Sequence, residues 1–240
     1  MGELTDRRAR KKAQTRELIR SVAQRRFDEQ GFDAVTIADI ARECDVAVQT
    51  VFNHFATKEE LFFDDRTQWI DGPAEAVRMR QPSVAPLTAL RAHLVDTVAG
   101  LVGAYRCPDR RRYIATIEAS DALRAYEREL VHQSELQLRQ ALLDAWAADE
   151  TVAPVDPPSA APVIAAIWVA ASRSLVMTQR PRLSNGADPD LASAAVMEMA
   201  QRVLFQLELG ANAVHGREAA VATPAPPTDT GWPHAVLRAG

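Results

Sequence analysis

The sequence predicts an all-α chain in two parts: a three-helix N-terminal head of helix-turn-helix type, followed by a larger helical domain. Three observations lead there. Apolar residues recur at three- and four-residue steps along most of the chain, which is how a helix packed by one face is written. Runs that alternate apolar and polar residues between turn signals, the mark of strands, are absent. Between Thr15 and Leu61, three short apolar stripes are separated by a glycine, a hydroxyl-acid cap and a tight turn.

The first helix is expected over 12–30, with Leu18, Ile19, Val22, Ala23 and Phe27 on one stripe and Gly31 as a left-handed cap. Thr36-Ile37-Ala38-Asp39 reads as a capping box, because the acid three residues after the hydroxyl can reach back to it. Ile37, Ile40 and Ala41 give the second helix its buried face. Glu43-Cys44-Asp45 makes the turn, and Val46, Val51 and Phe55 are spaced to pack a third helix onto the first two. Thr57-Lys58-Glu59-Glu60 is a second capping box. It should open one continuous fourth helix through Leu61, Phe62 and Ile70 toward Arg78, stopped by Pro82 and Pro86.

Beyond this point Leu87, Leu90, Leu94, Val98 and Leu101 mark an amphipathic helix ending near Gly103. A turn at Arg106-Cys107-Pro108-Asp109 starts a shorter helix through Tyr113, Ile114 and Ile117. A long helix follows from Asp121, with Leu123, Leu130, Leu136, Leu138, Leu142, Leu143 and Trp146 on or near its apolar side. Val152–Pro158 reads as a linker, Ser159–Thr178 as an alanine-rich helix, 180–189 as a polar loop and Asp190–Leu209 as the last helix. The stretch after Gly210 holds Pro224, Pro226, Pro227 and Pro233 with few large apolar residues, a composition that predicts disorder. The expected division is thus a basic arm at 1–11, a head at 12–65, a helical body at 66–210 and a disordered tail at 211–240.

Charge is distributed unevenly. The chain carries a net −4, yet residues 1–26 hold nine Lys/Arg against Glu3, Asp6 and Glu17, a net +6, so the rest carries −10. A basic end on an acidic body is drawn to phosphate and oriented by it. Cys44 and Cys107 are the only cysteines, too few for a disulfide framework, and they fit a reducing cytoplasm. The N-terminal arginines are not followed by the apolar stretch of a signal peptide. The longest apolar run, Ala160–Ala171, contains Pro162 and falls short of the ~18–20 residues of a membrane span. A soluble protein with no membrane partner is expected.

With Val46, Val51 and Phe55 turned inward, the third helix offers Ala47, Val48, Gln49, Thr50, Asn53 and His54 outward. Gln49 and Asn53 lie one turn apart, and an amide pairs bidentately with adenine in the major groove. Val48 beside them suits a thymine methyl. Thr36, Thr50 and Lys58 stand at helix ends, where hydroxyl, N–H and ammonium hold phosphates. Taken singly, Thr36 serves equally as a cap, Val48 as a gap filler and His54 as a packing residue. Taken together, these residues point to double-stranded DNA.

The set Thr15-Arg16, Ile19, Ala23, Phe27, Gly31-Phe32, Thr36-Ile37, Ile40-Ala41, Val46, Thr50, Phe52, His54-Phe55, Lys58 and Leu61 resembles the N-terminal domain of TetR-family transcriptional regulators over roughly 12–65. The resemblance implies a helix-turn-helix DNA-binding domain on a helical ligand-binding and dimerisation domain. It also implies a homodimer on a palindromic operator, usually a repressor released by a small ligand. Asp45 stands where the family has glycine, and aspartate tolerates left-handed geometry. Phe52 replaces the usual tyrosine, which removes one phosphate-contacting hydroxyl. The last two helices would pair with their twins through Ile164, Ile167, Trp168, Ala171, Leu175, Val196, Met199, Val203 and Leu207. Internal core is the other reading of the same residues.

The resemblance further implies a cavity in the body, lined by Trp69, Leu94, Val98, Leu101, Tyr105, Tyr113, Ile117, Leu142, Trp146 and Trp168, with His93 and Glu118 as polar candidates. At helical spacing these residues also suit ordinary core. The apolar and aromatic mix favours a small hydrophobic or amphipathic ligand. No cofactor is implied. Motifs of the GxSxG, HExxH, glycine-rich phosphate-loop and CxxC kinds do not occur, and the five histidines lack metal-ligand spacing. No catalytic or metal site is therefore expected. The competing reading is a small-molecule-binding helical protein without specific DNA binding.

Overall fold

Residues 2–64 and 67–215 are described by a computed structural model, and among them every regular element is helical. In the head, α1 spans Gly2–Gln30, α2 Ile37–Glu43, α3 Val48–Phe52 and α4 Lys58–Phe63. The body comprises α5 (Gln68–Arg78), α6 (Pro86–Gly103), α7 (Pro108–Ala119), α8 (Asp121–Ala148), α9 (Pro157–Met177), α10 (Arg180–Ser184) and α11 (Pro189–His215).

Ile19, Ala23, Phe27, Ile40, Val51, Phe55 and Leu61 are all buried and hold the head together. Gly31 takes φ +83°, the left-handed cap its position requires. In the body α6 lies along α11, and α5 packs on both α6 and α8. α8 also packs on α9, and Trp146, Trp168, Leu138 and Leu142 fill the centre. α6 and α9 are long and apolar enough to cross a membrane, by length and composition alone. Here α6 packs against α5, α9 and α11, and α9 against α6, α8 and α11.

Aromatic packing couples head to body. Phe62 stacks on Tyr113 with ring centroids 5.1 Å apart, and Phe63 on Tyr126 at 5.4 Å. Across the same seam the Ser120 hydroxyl donates to the Asp33 carboxylate at 2.9 Å.

Four expectations are corrected. The basic arm is not separate: residues 2–11 belong to α1, because alanine, arginine and lysine favour helix and neither glycine nor proline interrupts Glu3–Gln30. The fourth helix is not continuous. Asp64 leaves helical geometry at φ −55°, ψ 137°, and Arg16 takes its carboxylate, while an acidic residue at a helix C-terminus opposes the helix dipole. The polar segment 180–189 contains α10, whose Arg180 is buried. The last helix continues through Gly210 to His215, since Ala-Asn-Ala-Val offers no stop and one glycine costs a helix only about 1 kcal/mol. Residues 211–215 of the expected tail are therefore helical, and 216–240 lie outside the described residues.

Candidate nucleic-acid interface and body cavity

The turn that aims α3 is built locally. The Thr36 hydroxyl accepts from the Asp39 amide at 3.1 Å, and the Asp39 carboxylate accepts from the Thr36 amide at 3.2 Å, the reciprocal capping box expected of this sequence. Asp45 adopts φ +53°, and the Val46 amide then reaches back to the Ala41 carbonyl at 3.0 Å. Burial of Val51 and Phe55 rotates the other face of α3 outward.

That face presents Ala47, Val48, Gln49, Phe52 and Asn53 to solvent, with Val48 41% and Phe52 44% exposed. Large apolar groups left this open beside amides are what a groove with thymine methyls would cover. The Gln49 amide donates to the Asn53 side-chain oxygen at 3.3 Å, which aligns the two amides one turn apart. Thr36 is exposed and spends its hydroxyl on the cap, whereas Thr50 is half-buried. His54 is half-buried, and its pKa is held below the usual histidine value by burial, then by the charges of Lys12 and Arg16.

Lys58 is placed differently from the expectation of a phosphate contact. Its ammonium donates to the carbonyls of Phe32 and Val35, each at 3.0 Å, and sits 4.1 Å from the Phe32 ring centroid. It ties the start of α4 to the loop between α1 and α2.

Arg16 is the residue that sequence reading missed as part of this geometry. Its guanidinium donates to the His54 carbonyl at 2.5 Å and to the Asp64 carboxylate at 2.5 Å, and lies 4.1 Å from the centroid of Phe55. One side chain thereby fixes the end of α3 and the end of α4 against α1. The signal was available: Arg16 lies three residues before Ile19 and seven before Ala23, on the buried stripe of α1. Other head cations are also engaged, Arg25 and Arg26 with Glu43, Arg20 with Glu17 and Arg42 with Asp39. Arg7, Arg8, Lys11 and Lys12 are exposed on the first turns of α1, where positive charge faces outward.

In the body a cavity of about 100 Å³ lies among α5 to α10. Five of the expected residues line it: Trp69, Leu94, Val98, Leu101 and Tyr105. The other seven do not; of these, Leu142 is fully buried core and Glu118 stands outside the lining. His93 packs over Gly72 and lies 3.2 Å from the Thr97 hydroxyl, and burial pushes its pKa down. Tyr113 belongs to the aromatic seam with Phe62 and Phe63, and Ile117 and Trp146 are fully buried core. Trp168 lines a separate groove, beside Ile167 and Leu207 on α9 and α11. They miss the cavity because helical spacing identifies a buried face without saying which neighbour that face meets.

The cavity also has a polar side that the sequence did not reveal. Arg180 makes a two-pronged ion pair with Glu127, at 2.5 and 3.2 Å, with side chains 8% and 12% exposed. Arg110, Arg173 and Ser172 join the lining. Burial raises the Tyr105 pKa to about 12, so the phenol keeps its proton at neutral pH.

Residues 19–64 match the sequence profile of a family described as bacterial regulatory proteins, tetR family. No curated protein matches the chain in sequence. Among solved structures, the chain is similar to NalD of Pseudomonas aeruginosa, the secondary repressor of the MexAB-OprM multidrug efflux pump. Identity there is 22% and the TM-score 0.48, over 80% of this chain and 96% of that one. It is also similar to Salmonella enterica GusR, at 19% identity and a TM-score of 0.45, over 80% and 95% of the two chains.

Proposed function

We propose, for a chain whose residues 19–64 match the profile of the tetR family of bacterial regulatory proteins, a ligand-responsive transcriptional repressor that reads a palindromic operator as a homodimer. The observation that carries the DNA reading is the outer face of α3, where Val48, Gln49, Phe52 and Asn53 stand exposed while Val51 and Phe55 anchor the helix. Gln49 and Asn53 read bases; Arg7, Arg8, Lys11 and Lys12 supply phosphate attraction. Arg16 and Lys58 hold the head in shape.

A single head makes few base contacts, so two are needed, about 34–36 Å apart for successive major-groove half-sites. Support for pairing comes from α9 and α11, which expose Val163, Ile167, Met199, Phe205 and Leu209 at 44–56%. Apolar side chains so placed suit a self-complementary helical interface. Of the expected interface residues, Ile167 and Met199 belong to this surface, whereas Trp168 and Val196 are buried within the chain.

The body senses and the head responds through α5, which brings Trp69 and Pro73 to the cavity. Because α4 and α5 are separate helices, the signal passes across 64–67, where Arg16 pins Asp64. A ligand that moves α5 changes the tension on that pin and on the Phe62–Tyr113 seam. An effector that prefers the displaced state by a typical ~1–3 kcal/mol releases DNA about 5- to 150-fold.

The test is selection of bound genomic fragments, followed by titration of the recovered duplex. Affinity should fall on the order of 10³-fold between about 50 and 200 mM salt. Unrelated duplexes bound equally well, with a shallow salt slope, would overturn the DNA reading.

A further inference from the structure

The body cavity gathers polar atoms that the fold leaves unpaired. Tyr105, Ser172 and Arg180 are only 3%, 8% and 7% exposed. The Tyr105 hydroxyl, the Ser172 hydroxyl and Arg180 Nε are buried without a protein hydrogen-bond partner, and all three residues line the same cavity. Elsewhere some buried polar groups find partners, as Ser134 donates to the Ile70 carbonyl and Glu208 accepts from Arg91, while His54 Nδ1 and Arg80 Nε, each away from the cavity, do not. A buried polar atom left unpaired is costly, so three around one space indicate a ligand that completes them.

The available hydrogens are donors. Tyr105 stays protonated, hydroxyls can donate, and an arginine Nε–H can only donate. Among the described lining residues Arg110, Arg173 and Arg180 outnumber the one carboxylate, Glu127, which Arg180 pairs. Even with Glu118, which also acts on Tyr105 and Arg180, the cations are in excess, so the space favours negative charge. Leu94, Val98, Leu101, Ile114, Val169 and Val176 make the rest of the wall apolar. At about 100 Å³, the space is smaller than the roughly 150 Å³ that accepts a benzene ring, so the apolar body it takes is no larger than one ring.

We propose that the cavity binds a compact monocarboxylate whose apolar body is no larger than one ring, its carboxylate accepting hydrogen bonds from Tyr105, Ser172 and Arg180. This deepens the ligand-responsive reading above and rests on it only for the consequence at DNA. A cationic counterpart meets the arginines and a neutral hydrocarbon leaves the donors unpaired, so both bind more weakly.

The experiment is calorimetric titration of the full chain, without DNA, with benzoate, toluene and benzylamine, which share one ring and differ in charge. Benzoate should bind at least about tenfold more tightly than either. Tyr105→Phe keeps the ring and removes one donor, so it should weaken benzoate about tenfold or more, the range of a hydrogen bond to a charged group, with toluene nearly unchanged. Ser172→Ala should act in the same direction. Equal or tighter binding of toluene or benzylamine, no saturation by benzoate at millimolar concentration, or indifference of benzoate to Tyr105→Phe would each overturn the proposal. If either variant fails to fold, the ranking of the three probes on the wild-type chain still decides. Should benzoate bind as expected and leave operator affinity unchanged, the ligand class stands and the release mechanism fails.

Discussion

Replacing Lys58 by alanine separates a structural cation from a phosphate-binding one. The ammonium makes two hydrogen bonds of 3.0 Å to the carbonyls of Phe32 and Val35 and lies over the Phe32 ring. A hydrogen bond involving a charged group contributes roughly 1.5–3 kcal/mol where it is buried. Lys58 is half-buried, which reduces each bond, and a partly exposed cation–π contact adds about 0.5–1 kcal/mol. Lys58→Ala should then cost about 2–4 kcal/mol, felt first in the α1–α2 loop whose carbonyls lose their donor. Lys58→Met keeps the aliphatic stem and should recover part of this loss through packing on Phe32. Urea unfolding followed by circular dichroism measures the cost, and amide exchange across 32–44 locates it. Operator affinity measured against salt is the companion assay: its logarithmic slope should stay unchanged, since no phosphate contact is lost. A stability change below about 0.5 kcal/mol with a slope reduced by about one unit would refute this assignment and return Lys58 to the phosphate backbone.

Gln49→Ala and Asn53→Ala should each lose about 1–3 kcal/mol of discrimination at particular base pairs, measured by competition among single-position operator variants; uniform weakening across all variants would contradict a reading role. Arg16→Met should destabilise the head by about 2–4 kcal/mol, because Asp64 and the His54 carbonyl lose a charged donor together; a melting profile identical to the wild type would contradict the clamp. Burial holds the pKa values of both His93 and His54 below 6.5, so the unfolded chain binds more protons at mildly acidic pH. The stability linked to their neutral forms is fully present above 6.5 and lost as pH falls through the depressed folded values. Urea midpoints recorded from about pH 7.5 to 5 should therefore fall with acidification, and His93→Gln should flatten the fall; a wild-type curve already flat over that range would contradict it.

Much of the head was legible because its determinants are local. A capping box needs Thr36 and Asp39 three apart, a left-handed cap needs Gly31, and a tight turn needs a residue such as Asp45 that tolerates positive φ. The outward set of α3 follows once Val51 and Phe55 are assigned inward, and all these interactions span only a few residues. The break between α4 and α5 was not legible: its anchor on Asp64 is Arg16, 48 positions earlier. Lys58 shows the same limit. Its position at a helix start suggested phosphate, but the carbonyls it serves lie 23 and 26 residues away.

By itself the sequence determined the helical class, the turn that aims α3 and the amides it displays, because periodicity and capping are properties of neighbours along the chain. Which apolar stripes meet one another was decided only in the tertiary structure. Tyr113, Ile117, Trp146 and Trp168 look like Leu94 and Val98 along the sequence, yet only the latter two face the cavity. The Arg180–Glu127 pair, 53 residues apart, likewise exists only once α10 is folded onto α8. Burial on a helix is written in a single segment, whereas the identity of the partner depends on how all the segments pack at once.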